Sequence, residues 1–292
     1  MGAVEPRGGT WHRGALVRRT GGGAVTALVW LGGVACIFPA VWSAVSSFRP
    51  AQSFLSSPFD INPHQFILDN YKQVFDQGTF PMGFASSAIQ VGLVLACTLF
   101  FCPLAGFGFA KFVFRGRGFF FGLVLLTLFI VPVITYIPLL LEMNAVGWVD
   151  TYQGLVLPLA ISPIGVFWMS GVIRAIPDEL LQAARVDGCG NFGVWWRIII
   201  PVIKPSLVSL AVITFLAAYN DYFWPLIIVR SIQTIQIALA LLLNPTTITS
   251  VPTANFGPVL AGSTLVLLPT IVIFLAMQRY FLSGILEGSI KS

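Results

Sequence analysis

The chain has 292 residues, of which 57% are hydrophobic and only 9% are charged, and its mean hydropathy is +0.88. Soluble domains carry about 25% charged residues, so this composition excludes an ordinary soluble protein and indicates an integral membrane protein. The net charge of +5 does not indicate a nucleic-acid partner, because the lysines and arginines are dispersed in short loops and form no single patch.

Six apolar stretches follow one another along the chain. Their approximate bounds are 24–47, 80–109, 119–141, 152–173, 206–229 and 256–281. Each has about the 20 residues that a helix needs to cross the hydrocarbon core of a bilayer. We therefore predict an all-α membrane domain of six transmembrane helices over residues 24–281. The Gly- and Arg-rich segment 1–23 is predicted to be flexible, and residues 282–292 form a C-terminal tail.

The first apolar stretch also has features of a secretory signal, because Ala44, Val45 and Ser46 make an acceptable small-residue cleavage site. The stretch is longer and richer in tryptophan and phenylalanine than a cleaved signal. We therefore interpret it as a retained signal anchor, and the polar segment 49–79 that follows is predicted to be external.

The basic residues predict the orientation in the membrane. With six spans and the N-terminus inside, 13 of the 16 lysines and arginines fall in cytoplasmic segments. Only Arg49, Lys72 and Arg230 fall in external segments. This distribution agrees with the positive-inside rule, so both termini and the segment between spans four and five are expected to be cytoplasmic.

The sequence offers little for catalysis or cofactor binding. It has no G-x-x-x-x-G-K-[ST] phosphate loop, so it does not bind ATP by that route. Its two histidines, His12 and His64, belong to no Cys/His cluster of metal-binding spacing and to no recognisable Ser/His/Asp set. The four cysteines suggest no disulfide framework. We expect no catalytic residue, no metal and no cofactor on this chain; an intramembrane enzyme is a minor alternative.

The segment 174–205 is a long polar-containing interruption of the apolar C-terminal half, and it contains a short predicted helix. Pro177 suits a first helical turn, and Asp178 and Glu179 place negative charge at the positive end of the helix dipole. Asp187-Gly188 predicts the end. About ten residues give a helix of about 15 Å, which is too short to cross a bilayer.

One side of this short helix is nearly bare backbone, because Ala184 and Gly188 lie four residues apart. Such a side would fit closely into a groove on another protein. Beyond the helix, Trp195, Trp196 and Arg197 are predicted to mark a membrane interface.

The same segment resembles the "EAA" cytoplasmic loop of ATP-binding-cassette (ABC) importer permeases, P-x-E-L-x-E-A-A-x-x-D-G with a later I-x-x-P. The pattern is carried by Pro177, Glu179, Leu180, Gln182, Ala183, Ala184, Asp187, Gly188, Ile198 and Pro201. Gln182 stands where the family usually has glutamate, which removes an ion pair but keeps hydrogen-bonding capacity. The alternative interpretation is an amphipathic interfacial connector without a partner.

Other passages extend the resemblance from about Asn70 to Lys291. PLAGFGFAKFVFRG, at the end of span two, is similar to "AYAFARFRFPG" of sugar-importer permeases, and LSGILEGSIKS at the C-terminus is similar to "GLTAGAVKG". The resemblance is closest to the second permease subunit of carbohydrate importers, the maltose-transporter type.

A polar pair, Asn220-Asp221, lies within span five in AAYNDYFWPL, which resembles "WNEYLWPL" of the family. An ionisable residue at membrane depth usually faces a bundle interior or an aqueous path. Candidate path residues are Tyr219, Asn220, Asp221 and Trp224, with Ser87 and Gln90 in span two as weaker candidates. The alternative for the pair is an interhelical anchor, or a site hydrated at the outer interface.

The resemblance implies an importer in which this chain supplies half of the translocation path. Implied partners are a second permease, two copies of an ATPase that binds ATP and Mg²⁺, an external solute-binding lipoprotein and membrane lipid, in a bacterial cytoplasmic membrane. The motif residues from Pro177 to Gly188, with Arg185, would contact the ATPase. Alternatives are the same importer class for glycerophosphodiesters, amino sugars or polyols, and a secondary transporter.

Overall fold

The structure is a computed structural model that describes residues 12–50, 57, 62–76, 78–243 and 256–289. Every regular element in these residues is a helix. The helices are α1 His12–Ser46, α2 Asp69–Asp76, α3 Thr79–Lys111, α4 Arg117–Thr127, α5 Pro132–Ala145, α6 Tyr152–Val156, α7 Pro163–Arg174, α8 Asp178–Val186, α9 Asn191–Val202, α10 Lys204–Tyr219, α11 Phe223–Ile228, α12 Ile235–Leu243 and α13 Phe256–Ser289. Helix α9 contains a π-helical turn, Trp195–Ile199.

Three helices are individually long and apolar enough to cross a membrane: α3 and the segments Val25–Ser46 of α1 and Phe256–Gln278 of α13. Three further pairs pass the same test only together, and each is bent, by 107° between α4 and α5, 43° between α6 and α7, and 79° between α9 and α10. The described residues therefore provide three spans, or up to six when each bent pair counts as one. The all-helical membrane fold is confirmed; the number six stays a prediction.

Helix ends differ from the bounds of the apolar stretches. Helix α1 begins at His12, within the segment predicted to be flexible, and α13 continues through the predicted tail to Ser289. The reason is that hydropathy marks where a helix enters hydrocarbon, whereas backbone hydrogen bonding continues past that point. Residues 1–11 and 290–292 lie outside the described residues.

Proline and capping turns explain most of the breaks. Pro132 and Pro163 each occupy a first turn, where a missing backbone N–H costs no hydrogen bond. The hydroxyl of Ser162 accepts the N–H of Gly165 at 3.3 Å and so caps α7. The third predicted stretch thus becomes two helices, and so does the fourth.

Helix α3 is the centre of the bundle and packs against α7, α10 and α12. Glycines make these approaches possible. At Gly106 a Cβ would lie 2.9 Å from both the Ser170 nitrogen and the Met169 Cβ, and at Gly83 it would lie 3.0 Å from the Ala238 Cβ. The buried side chains form three clusters. The first surrounds the C-terminal ends of α3 and α7, the second lies around α10, α12 and α13, and the third contains Leu155, Trp224 and Ile228.

Helix α1 packs mainly against α13. None of the apolar window in Val25–Ser46 is buried by the chain. An apolar surface of this extent requires lipid or another membrane protein as its surroundings.

Gly106 and Gly108 provide a matched test of the α3–α7 contact. Gly106→Ala should lower stability by about 1–3 kcal/mol, because the added methyl overlaps the backbone of α7. Gly108→Ala, where nothing lies within 4 Å of the added methyl, should leave stability unchanged or raise it slightly. Thermal unfolding of the purified protein in detergent measures both. Equal melting temperatures for the two variants would contradict the close contact.

Candidate functional site

Helix α8 lies on the surface at the C-terminal ends of α3 and α7, with one face turned into the chain. Leu181 and Ala184 are buried in the cluster that also contains Phe107, Ile173 and Trp195. The other residues predicted for this site are exposed: Pro177, Glu179, Leu180, Gln182, Ala183, Arg185, Asp187 and Gly188. The sequence placed Ala184 on the side available to a partner. In the structure Ala184 packs against this chain itself, whereas Gly188 and the opposite face of α8 are exposed.

The C-terminal end of α8 is a Schellman motif. The N–H of Gly188 donates to the Arg185 carbonyl at 3.0 Å, and that of Cys189 donates to the Ala184 carbonyl at 2.9 Å. Gly188 has φ +83°, a left-handed conformation that glycine adopts without steric cost. Gly188 therefore has a backbone role, which is to end α8 and redirect the chain.

The N-terminal end of α8 is joined to the end of α3 by Lys111. Its ammonium group donates to the Asp178 carboxylate at 2.6 Å and to the Ile176 carbonyl at 2.5 Å. The Lys111 side chain is only 8% exposed, whereas that of Asp178 is 70% exposed. The bond to the carbonyl is thus the more protected of the two, and it satisfies an acceptor left over beyond the end of α7.

Trp195 is buried in the core, although the sequence placed it at the membrane interface. Its ring lies edge-on to Phe100 at 5.5 Å between centroids and packs near Phe192 at 5.4 Å. Trp196 is exposed, as an interfacial residue would be. The π turn of α9 starts at Trp195, and such turns are frequent at functional sites.

A cavity of about 620 Å³ is formed by α3, the end of α4, α5, α7, α10, α11 and the segments that join them. Its polar wall includes Thr98, Thr135, Tyr136 and Asp221. Trp224 closes one side: it is fully buried, its indole N–H donates to the Gly154 carbonyl at 3.2 Å, and its ring lies 5.6 Å from that of Tyr136. The volume is in the range of small-molecule sites.

Two of the candidate path residues, Asp221 and Trp224, line this cavity. Four others make contacts within the bundle. Ser87 accepts the N–H of Ile235 at 2.8 Å, Tyr219 donates its hydroxyl to the Val266 carbonyl at 3.0 Å, Asn220 donates to the Leu216 carbonyl at 2.8 Å, and Gln90 is buried.

The polar residues Thr98, Thr135 and Tyr136 of the cavity wall were not predicted from the sequence. Each is a single polar side chain in an apolar helix. The local sequence pattern does not distinguish a polar side chain that lines a cavity from one that is hydrogen-bonded within its own helix. Only the bend between α4 and α5 brings Thr135 and Tyr136 opposite Asp221.

Asp150 connects the loop after α5 to the chain after α11. Its carboxylate accepts the backbone N–H groups of Arg230 at 2.8 Å and Ser231 at 2.9 Å and the Ser231 hydroxyl at 2.8 Å. These hydrogen bonds lower the pKa of Asp150 from 3.8 to about 2. The Asp150 N–H donates to the Ile228 carbonyl at 2.9 Å, so the loop is held to the end of α11 from both sides.

Comparison with known proteins decides the family. Residues 103–285, which include α8 and much of the cavity wall, match the family described as "Binding-protein-dependent transport system inner membrane component". The chain belongs to this family. It is a transport permease, a multi-pass subunit of the cytoplasmic membrane and not an enzyme, and the resemblance to ABC importer permeases is confirmed.

Individual relatives agree along most of the chain. It is 33% identical over 260 residues to the arabinooligosaccharides transport system permease protein AraQ of Bacillus subtilis (strain 168), covering 87% of this chain and 90% of AraQ. It is 32% identical over 256 residues to the lactose transport system permease protein LacG of Rhizobium radiobacter, covering 87% and 91%.

A solved structure has the same fold. It is a chain of a bacterial ABC transporter involved in the import of the acidic polysaccharide alginate, with a TM-score of 0.79. The alignment covers 94% of this permease and all of that chain, at 19% identity. At this identity the likeness establishes the fold alone.

The Asp150 carboxylate should stabilise the permease in a pH-dependent way. Because its folded pKa is lowered to about 2, its contribution is complete above the unfolded value and is lost as the pH falls through about 2. Asp150→Asn, which tolerates the φ of +58° at this position, should lower the melting temperature at pH 7. The difference from wild type should shrink below about pH 4. A difference in melting temperature between wild type and Asp150→Asn that stays constant from pH 7 to pH 2 would contradict this role of the Asp150 carboxylate.

Proposed function

We propose that this permease is one of two different membrane subunits of an ATP-driven importer for carbohydrates. A solute-binding protein outside the membrane delivers the solute, and two copies of a separate ATPase bind ATP and Mg²⁺. The family match and the two carbohydrate permeases above, at 32–33% identity, support this role. The observation that carries it is α8, a short helix fixed to the bundle by one face and free on the other.

The exposed face of α8 is the proposed contact with the ATPase. Leu180 is 50% exposed and Val186 is 88% exposed, so apolar side chains project beside Glu179 and Arg185. An apolar centre with charged residues around it is typical of protein interfaces. The positive-inside distribution of lysine and arginine supports a cytoplasmic position, where an ATPase has access to ATP.

Force on α8 would reach the bundle through three connections. Leu181 and Ala184 are anchored in the core, and Lys111 ties the helix start to the end of α3. The third is α9, which leads from α8 through the π turn to the 79° bend before α10. Since α10 also lines the cavity, a displacement of α8 would alter the cavity wall. Coupling of this kind requires that the ATPase bind two conformations with different affinity.

The cavity is the proposed part of the translocation path in this chain. We propose Asp221 and Trp224, which line it, as path residues. For Ser87, Gln90 and Tyr219, which are buried, we propose a supporting role behind that wall. Asn220 is exposed, and we propose that it lies beside the path next to Asp221. The test of the function is ATP-dependent uptake into proteoliposomes by the assembly with its partner permease, ATPase and binding protein. Absence of ATP-dependent uptake for every carbohydrate that the binding protein retains would contradict the proposal.

Leu180→Asp should weaken association with the ATPase. Replacing an exposed apolar contact by a charge is expected to cost about 2 kcal/mol, about thirtyfold in Kd. Leu68→Asp is a matched control, because Leu68 is 62% exposed and lies before α2, far along the chain from α8. Co-purification of the ATPase with each variant gives the result. Equal ATPase recovery with the Leu180 and Leu68 variants would contradict a contact on this face.

Lys111→Met should reduce the solute transported per ATP hydrolysed by severalfold while the ATPase still co-purifies. The methionine fills similar space but leaves the Ile176 carbonyl unpaired, at a cost of about 1–3 kcal/mol. Lys111→Arg keeps a donor and should retain coupling. Asp178→Asn should have a smaller effect, since that carboxylate is largely exposed. Normal coupling in Lys111→Met would show that the lysine does not transmit force.

A further inference from the structure

The formal charge on the described cavity wall is negative. Among its described residues Asp221 is an acid, and none is a lysine, arginine or histidine. The Asp221 carboxylate accepts the Trp224 backbone N–H at a long 3.4 Å. The Phe223 backbone N–H also interacts with this carboxylate. A carboxylate has about four acceptor positions, so about half of its capacity remains for a ligand.

The wall is also poor in hydrogen-bond donors. The hydroxyl protons of Thr98, Thr127 and Thr135 are donated to the carbonyls of Ala160, Val124 and Pro132, at 3.2, 2.7 and 2.7 Å. The indole N–H of the tryptophan in the wall is likewise bonded to a backbone carbonyl. Because a hydroxyl has one proton, these threonines offer a ligand only lone pairs.

The donors that remain in the described wall are the hydroxyls of Tyr136, Ser162 and Thr214. Acceptors therefore outnumber donors around the cavity, and the one formal charge among these wall residues is negative. A ligand suited to this wall donates many hydrogen bonds and carries no negative charge. A neutral sugar or polyol, with a hydroxyl on most carbons, has this character.

We infer that this cavity admits neutral polyhydroxylated solutes and excludes solutes that carry carboxylate or phosphate groups, and that Asp221 determines this selectivity. A solute anion is repelled by Asp221 in a space that salt screens poorly, and its oxygens face other acceptors. The inference rests on the proposed function, because it assigns a solute class to the same path. It goes further by giving this subunit a selectivity of its own, separate from that of a binding protein.

The test uses the purified assembly of this permease with its partner permease and ATPase in lipid nanodiscs, without the binding protein. The probes are α-1,4-galactobiose and α-1,4-digalacturonate, which differ in carboxylates in place of hydroxymethyl groups. Binding of each is measured by calorimetry for wild type and Asp221→Asn, which keeps the size and an acceptor oxygen. Glu142→Gln is the control, because Glu142 is exposed on α5 outside the cavity wall.

Wild type and Glu142→Gln should bind galactobiose at least tenfold more tightly than digalacturonate, and Asp221→Asn should narrow that ratio by about tenfold. Asp221→Ser serves as a second variant if the asparagine variant fails to assemble. An unchanged ratio in Asp221→Asn, equal binding of both probes by wild type, or binding of neither would overturn the inference.

ATP-dependent uptake by the complete wild-type assembly is measured in parallel. Its absence would reject the proposed function, whereas its presence with an unchanged ratio would reject the selectivity alone.

Discussion

Backbone contact between α3 and α7 at Gly106 is the constraint on which the part of this permease that holds α8 depends. With no side chain in the way, α3 approaches α7 so closely that a Cβ at Gly106 would lie 2.9 Å from the Ser170 nitrogen. That approach brings Lys111 within reach of the carbonyl beyond the end of α7, and it forms the surface on which Leu181 and Ala184 are buried. The position of α8 therefore follows from a glycine less than two turns before the end of α3.

The region around α5, α6 and α11 is organised by polar contacts to the backbone. Asp150 holds the loop after α5 to the chain after α11, and the Trp224 indole holds α11 to α6. Broken helices leave backbone groups that hydrocarbon cannot satisfy, so such contacts are needed wherever a span is bent. In this permease the bent spans surround the cavity. Hydrogen bonds to backbone carbonyls in and between these spans also occupy side-chain donors of the cavity wall.

The sequence was sufficient for features that depend on local composition. Hydropathy located α1, α3 and α13, and the pair Asp187-Gly188 marked the end of α8, where Gly188 has the left-handed backbone that ends a helix. Features that depend on neighbours were not predictable. Small size at Ala184 is compatible with contact to a partner or to the same chain, and Trp195 is equally suited to an interface or a core. The cavity required the angle between α4 and α5, which no periodicity encodes.

The exposed apolar surface of α1 bears on how the protein is made. Since no part of its apolar window is buried by the chain, the apolar surface that keeps α1 in lipid does not depend on burial against the later helices. It can settle in the bilayer as soon as it leaves the ribosome, as the first step of a two-stage assembly. The sidedness of everything that follows is then decided before α3, the helix that the others pack around, has been synthesised.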